Sequence, residues 1–299
     1  MPNVDILIER ARIVRAIRAF FDARGFVEVE TAVRIPAPAP EEHIDCPPCR
    51  DGGYLRASPE LQMKKLLAAG MDRLYQIGPC FREGERGSRH NPEFTMIEWY
   101  RKNATYLDIA ADLEALLETL GLGKALSVLG TCPQRLTVRE SYLKYAGWDP
   151  WVDWDQDRFD FDMATKIEPA IKSLGGGVFL MNYPPQAAAL SKLTTHASFP
   201  PSCRGLSPVA EAERWEFYWD GMELANCFTE LCDATEQRMR FLAAKANRHA
   251  LGEADYPLDE DFLMALPRIG SAAGVALGID RLVMVLTGAH EISAVRAEI

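Results

Sequence analysis

Near its C-terminal end the chain sets Gly274, Ala276 and Gly278 on alternate positions between Val275, Leu277 and Ile279, and follows them with Asp280-Arg281. Alternation at period two is a strand signature, and it gathers the three small residues on one face. A strand with one nearly bare face must have something lie close against its backbone. Either a helix packs tightly there or a flat ligand does. A second segment bears on that choice: Cys80-Phe81-Arg82 runs through Arg89-His90-Asn91-Pro92-Glu93-Phe94 to Glu98-Trp99-Tyr100. Here Phe94-Thr95-Met96-Ile97 reads as a strand after a polar hairpin loop from Glu83 to Arg89. Arg82 and Arg281 offer planar, permanently protonated forks suited to phosphate and carboxylate oxygens, which lysine matches less well. Phe94 alone reads as ordinary core; beside Arg82, His90 and Glu93 it reads as a stacking face for a purine. The two segments together describe a site for a nucleoside triphosphate.

The rest of the chain predicts the frame around them. Ile6, Ile13, Ile17 and Phe20 or Phe21 recur near helical spacing from Asp5 to Arg24, and Gly25 is placed to stop that helix. Phe26 to Glu30 reads as a strand. Ser58-Pro59-Glu60 opens a second helix, with a capping serine, a proline in the first turn and an acid at the positive end of the dipole. Tyr75 to Ile77 reads as strand, and Thr105 begins a third helix that packs Leu113, Leu116, Leu117 and Leu120 inward and ends near Gly121. The stretch from about Thr131 to Pro208, rich in Pro, Trp and Asp, reads as a mostly helical insertion with Val178 to Asn182 as a buried strand. Arg214 to Tyr218, Met222 to Phe228 and Gly274 to Leu277 complete the strands. Strands joined by hairpins, then helices, predict an α+β fold: an antiparallel sheet flanked by helices, one catalytic domain over residues 1–299 with an insertion at about 131–208.

Composition narrows the function classes. With 299 residues, 48% of them hydrophobic, the chain can bury a large core. The segment Met1 to Arg10 is charged, and the apolar stretch from Ala272 to Leu286 is broken by Asp280 and Arg281, so neither a signal peptide nor a membrane span is expected, and a cytoplasmic location is. Seven cysteines without an export signal read as reduced thiols. Cys46-Pro47-Pro48-Cys49 has metal-ligand spacing but no second pair, and reads as a loop. A net charge of −10 argues against a general nucleic-acid binder. Lys64, Lys65, Arg73 and Arg101 are scattered charges of the kind that form a solvated face.

These residues carry a resemblance. The segment from Phe81-Arg82 to Tyr100 resembles motif 2 of the class II aminoacyl-tRNA synthetases, and Gly274 to Arg281 resembles motif 3. Gly221-Met222-Glu223-Leu224-Ala225-Asn226-Cys227-Phe228-Thr229-Glu230-Leu231 resembles the lysine-binding strand of the lysyl type. The spacing of Glu223, Asn226 and Glu230, with Glu98 and Tyr100, points to lysine. The likeness covers nearly the whole chain and is strongest to the short paralogues that attach lysine or β-lysine to a lysine side chain of elongation factor P. Those lack the anticodon-binding barrel, for which this chain has no room, so elongation factor P is the expected acceptor and tRNA is not.

The resemblance implies ATP and Mg2+ as cofactors and a homodimer through the first helix and strand. It places Ser58, Glu60, Glu98, Tyr100, Glu223, Asn226 and Glu230 at the amino acid, with Glu230 and Tyr100 at its distal ammonium and Glu60 near the α-amino group. It places Arg82, His90, Asn91, Phe94, Ala276, Gly278 and Arg281 at the nucleotide, Arg82 bridging the substrate carboxylate and the α-phosphate and Arg281 reaching the γ-phosphate. Glu216 and Glu223 match the family's magnesium ligands. From the residues alone, Glu98 and Tyr100 alternate on one strand face and can share a pocket, Glu60 equally suits a helix cap, and Glu216 and Glu223 read as exposed strand-end acids.

Departures from the family pattern are instructive. Ala276 stands where lysyl synthetases usually have glycine, as in the protein-modifying paralogues, and favours β-lysine weakly. Gly84 stands where an adenine-contacting glutamate is frequent, with Glu83 and Glu85 beside it. Cys227 replaces a glycine and is expected to narrow the amino-acid pocket, and Thr31-Ala32 stands where a proline is common. Two other function classes remain open at this stage: an adenylate-forming enzyme with tRNA or a small amine as acceptor, and a non-catalytic regulatory paralogue, against which the retention of Arg82, Glu216, Glu223 and Arg281 speaks.

Overall fold

The structure, a computed structural model, describes residues 3–122, 133–195 and 209–297. The expected insertion therefore extends beyond the described residues at 131–132 and 196–208. In chain order the elements begin with α1 (Val4–Asp22), β1 (Val27–Glu28), β2 (Arg34–Ile35), β3 (Tyr54–Leu55), α2 (Glu60–Ala68), β4 (Arg73–Phe81), β5 (Glu93–Lys102) and α3 (Tyr106–Thr119). There follow β6 (Gln134–Thr137), α4 (Val138–Ser141), α5 (Gln156–Asp162), α6 (Glu168–Leu174), β7 (Gly177–Tyr183), β8 (Leu193–Thr195), β9 (Ala210–Trp219) and β10 (Met222–Thr229). Last come α7 (Ala234–Leu251), α8 (Glu260–Ala265), β11 (Ala272–Gly278) and α9 (Ile279–Thr287). The chain forms two compact units, Met1–Ala104 with Leu231–Ile299, and Thr105–Glu230.

In the first unit the strand order is β1-β4-β5-β11, with β1 parallel to β4 and the other pairs antiparallel. Helix α1 starts where the Asn3 side chain accepts from the backbone N–H of Asp5 and Ile6. It buries Ile13, Ile17, Phe20 and Phe21. The Phe21 ring lies 5.0 Å from Tyr75 and 5.1 Å from Trp99, so the odd-numbered face of β4 and β5 packs on this helix. The even-numbered face of β5 is thereby left for the site. The strand expected from Phe26 to Glu30 is shorter because Phe26 turns into the core against Phe21 at 5.0 Å.

The second unit orders its strands β10-β9-β7-β6, with β8 beside β9 and β6 parallel to β7. Thr105 and Asp108 form the capping box that starts α3. Residues 133–195 fold as three strands with the short helices α4 to α6 between them. Two π-helical turns, Tyr142–Ala146 and Met163–Ile167, join these helices around a core of Tyr142, Trp148, Phe159, Ile167 and Ile171. The expected α+β class is observed, and the sheets are mixed rather than wholly antiparallel. Both parallel pairs are joined by connections that contain helices, as parallel pairing requires. Among the described residues no helix is long and apolar enough to cross a membrane.

Candidate active site

The even-numbered face of β5 carries Phe94, Met96, Glu98 and Tyr100, and β11 sets Gly278, Ala276 and Gly274 opposite the last three. A strand rises about 3.3 Å per residue, so this face runs about 20 Å from Phe94 to Tyr100. That is the length scale of an amino acid joined to a nucleotide.

At its inner end Glu98 is sealed from solvent, 1% exposed. Ser58 donates to its Oε1 at 2.6 Å and Tyr100 donates to its Oε2 at 2.8 Å. The same Ser58 oxygen accepts from the N–H of Glu60, the first residue of α2, at 3.0 Å while also holding the site carboxylate, and Pro59 rather than Ser58 occupies the N-cap position. Glu60 pairs at 2.5 Å with Lys64, itself 1% exposed. Burial, then the neighbouring Glu60, push the Glu98 pKa up to about 7 against the pull of the two hydroxyls and Lys64. The structure thus brings Ser58, Glu60, Glu98 and Tyr100 together as an acidic, hydroxyl-lined cluster.

Gly274 has a different role from the one its spacing suggested. A Cβ there would meet Tyr100 Cδ1 at 2.1 Å. The bare backbone at this position admits the ring of the protein's own tyrosine, not a flat ligand. Ala276 and Gly278 remain half-exposed on that face, and among the described residues nothing but Arg281 lies within 4.0 Å of a Cβ built on Gly278. They are the part of the small-residue row that a ligand can reach.

At the outer end Arg82 follows β4, and its N–H closes the hairpin on Pro92 O at 2.9 Å. Its guanidinium carbon lies 5.2 Å from the centre of the Phe94 ring, a cation–π distance. Its Nε is buried and has no hydrogen-bond partner among the described residues, and its contact with Glu85 is long, 3.5 Å. An oxyanion acceptor fits that unmet donor. Asn91 donates to Glu93 O at 2.7 Å and shapes the loop. Arg281, in the first turn of α9, meets His90 Nε2 at 2.6 Å and Arg89 O at 3.3 Å. Arginine only donates, so His90 accepts through Nε2 and is the neutral Nδ1–H tautomer. Partial desolvation, then Arg281, lower its pKa accordingly. His90 therefore orients Arg281 and brings no charge of its own.

Several positioning groups in this unit had no readable signal in the sequence. Asp280, 2% exposed, accepts from Thr95 N–H at 2.9 Å and pairs with Arg10 at 2.5 Å and Arg296 at 3.1 Å. It bolts the start of α9 to β5, directly before Arg281. Arg56, 1% exposed, crosses Gly78 and donates to Pro79 O and Thr31 O. Cys46 and Cys49 lie in the loop between β2 and β3, where the Cys46 N–H donates to Tyr256 and burial pushes the thiol up to about 11. Asp45 of that loop accepts from Arg248 at 2.6 Å, and its carbonyl accepts from the Glu83 N–H at 2.8 Å, which steadies the Arg82 turn.

In the second unit Glu216 of β9 faces Asn226 of β10, and Tyr218 faces Glu223. Glu223 and Asn226 are three apart, a spacing that would put them on opposite faces of a regular strand. A register shift between Glu223 and Ala225 brings them to the same one. Glu216 accepts from Arg214 at 2.6 Å and from the Tyr218 hydroxyl at 2.7 Å. Phe228 shares the face of Asn226, and Glu230, 2% exposed, follows β10. Cys227 is fully buried on the opposite face, its Cα paired with Trp215, whose indole donates to Tyr106 O. It does not narrow the face that carries Asn226, contrary to expectation, because strand alternation turns it toward α3. Among the described residues no group of three or more His, Cys, Asp or Glu gathers as a metal cage. Two carboxylates completed by phosphate oxygens suit Mg2+ nonetheless, and Glu216 and Glu223 share one face.

The tRNA synthetases class II (D, K and N) family matches residues 3–297. The chain belongs to this family. Over 321 residues it is 37% identical to an elongation factor P--(R)-beta-lysine ligase of Proteus mirabilis, covering 99% of this chain and 96% of that one. The protein of the same name from Vibrio cholerae is 36% identical over 324 residues, again 99% and 96% of the two chains. That from Photorhabdus laumondii is 36% identical over 312 residues, 97% and 94%. The resemblance carried by the two arginine segments and the Glu223 to Glu230 strand is thus borne out, and the chain is a class II synthetase-like ligase by family.

Proposed function

We propose that this chain uses ATP to activate (R)-β-lysine, or α-lysine less well, and transfers the aminoacyl group to a lysine side chain of elongation factor P. The observation that carries the reading is the polarity of the β5 face. A guanidinium with a donor unmet among the described residues sits at one end, and the Ser58, Glu60, Glu98, Tyr100 cluster sits at the other. The relatives of that name, matched over nearly their whole length, support the acceptor and the amino acid.

In the first half-reaction a carboxylate oxygen of the amino acid attacks the α-phosphorus of ATP, the bond to pyrophosphate breaks, and an aminoacyl-adenylate forms. Arg82 spans carboxylate and α-phosphate, which fixes their approach and neutralises the charge that builds up between them. Phe94 and Gly278 flank the base, Ala276 floors the site, and Arg281, oriented by His90 and anchored through Asp280, holds the terminal phosphate, with Asn91 shaping the loop beside it. In the second half-reaction an ε-amine of the acceptor attacks the acyl carbon and AMP leaves. In the first unit Glu60, Glu98 and Tyr100 receive amine groups of the substrate, with Ser58 fixing Glu98. In the second unit Asn226 and Glu230 are the polar groups suited to the amino acid. Glu216 and Glu223 would hold Mg2+, which would supply charge neutralisation on the phosphates.

A homodimer belongs to the same reading. Val4 and Ile8 of α1 and Val27 of β1 are exposed apolar side chains on the elements that the family uses for pairing. With a net charge of −10, tRNA is not the acceptor in this reading. The test is transfer of radiolabelled β-lysine in the presence of ATP to elongation factor P, to a variant of it without the acceptor lysine, and to tRNA. Label on the intact factor alone is expected. Label on tRNA, or none on the factor, contradicts the reading.

A further inference from the structure

The polar face carried by β9 and β10 contains a charged side chain that none of the proposed chemistry uses. Arg214 is largely buried, with 15% of its side chain exposed, and every arm of its fork is engaged. Nε donates to Asn226 Oδ1 at 3.1 Å, Nη2 donates to Glu216 Oε1 at 2.6 Å, and Nη1 donates to Ala187 O at 2.8 Å. The guanidinium carbon lies 4.4 Å from the centre of the Tyr183 ring.

We propose that Arg214 is a positioning residue for amino-acid binding: one rigid fork fixes the Asn226 amide and the Glu216 carboxylate together. The inference rests on the function proposed above and deepens it. An arginine Nε–H can only donate, so the amide atom facing it must be the oxygen. The NH2 group of Asn226 is then the end turned away from Arg214, and Asn226 meets a ligand as a donor, suited to a carboxylate or acyl oxygen. A flipped amide would set N–H against N–H and lose the bond. Glu216 is fixed in the same way, since Tyr218 donates to its second oxygen at 2.7 Å while Arg214 holds the first. Lysine cannot substitute, because an ammonium on a flexible stem does not serve three acceptors in a fixed plane. The β10 register shift, which brings Glu223 to the Asn226 face, makes this orientation matter: the whole row of polar groups depends on how its members are turned.

The test uses the full chain in ATP–pyrophosphate exchange with Arg214→Lys, Asn226→Ala and the double variant, measuring KM separately for the amino acid and for ATP. Arg214→Lys is expected to raise the amino-acid KM about tenfold or more, with the ATP KM within about twofold, because Tyr218 still holds the Glu216 carboxylate through its second oxygen while among the described residues nothing else fixes the Asn226 amide. Asn226→Ala is expected to add little on top of Arg214→Lys, since the amide is already misoriented. Equal rises in both KM values, or additive losses, would overturn the proposal. A second readout needs no substrate. The Arg214 Nε–H resonance of the wild-type protein should exchange slowly with solvent, and should shift and exchange faster in Asn226→Ala. A fast-exchanging resonance in the wild type, or one that Asn226→Ala leaves in place, refutes the clamp. If the wild type shows no exchange with any lysine isomer, the proposed function fails, and the resonance still decides the clamp.

Discussion

Gly274→Ala is the smallest change that tests how the site is built. The added methyl would stand 2.1 Å from Tyr100 Cδ1, 2.2 Å from Cε1 and 2.9 Å from Cγ. Carbon atoms pack at about 3.5–4.0 Å, so the ring must retreat by roughly 1.5 Å. Tyr100 is 3% exposed and has no open space to move into without losing its 2.8 Å bond to Glu98. Overpacking of this kind costs about 1–3 kcal/mol, and a lost hydrogen bond to a buried carboxylate about 1–2 kcal/mol more. Denaturant unfolding should therefore show a loss of about 2–5 kcal/mol, and pyrophosphate exchange should show a raised amino-acid KM with the ATP KM little changed. The control is Tyr100→Ala: in that background Gly274→Ala should cost almost nothing, because the ring it strikes is gone. A loss of the same size in both backgrounds, or no loss in the wild type, would refute the reasoning.

Other outcomes follow from the same geometry. Glu98 has a folded pKa of about 7 against an ordinary value of 4.5, so folding favours its protonated form. Its contribution to stability is full below pH 4.5 and is lost as pH rises through about 7, at most about 3.5 kcal/mol at 1.4 kcal/mol per unit. Glu98→Gln should flatten the fall in stability between pH 5 and 8.5 seen by urea unfolding, and parallel curves would count against it. Asp280→Asn leaves Arg10 and Arg296 facing a neutral partner and should cost about 3 kcal/mol in thermal or chemical unfolding while raising the ATP KM. An unchanged ATP KM would show that the bolt does not serve Arg281. Glu230→Gln should weaken amino-acid binding far more than ATP binding in calorimetry; equal losses would remove its assigned role.

The parts of this protein that could be read in its sequence are those set by short-range rules. The alternation of Glu98 and Tyr100, the Ser58 and Thr105 helix starts, and the hairpin before Phe94 depend on neighbours a few residues away, and each is found. What escaped depends on tertiary contact. Gly274 looked like room for a ligand, and only the register of β11 on β5 shows that Tyr100 fills it. The spacing of Glu223 and Asn226 conceals a strand irregularity that no pattern of single residues announces. Lys64 read as part of a solvated face, and Arg56, Asp280 and Arg214 gave no sign of their positioning roles, because their partners or their burial arise from distant segments or from the turn of a helix. Cys227 was misplaced for the opposite reason: its neighbours in the motif drew attention to the ligand, while plain strand alternation turns it into the core.

The most direct measurement is ATP–pyrophosphate exchange by the purified chain with (R)-β-lysine, α-lysine and aspartate, compared with an Arg82→Ala variant. Exchange with a lysine isomer, strongest with β-lysine, absent with aspartate and abolished in the variant, is the predicted result. Exchange with aspartate, no exchange with any lysine isomer, or undiminished exchange without the Arg82 guanidinium would contradict it.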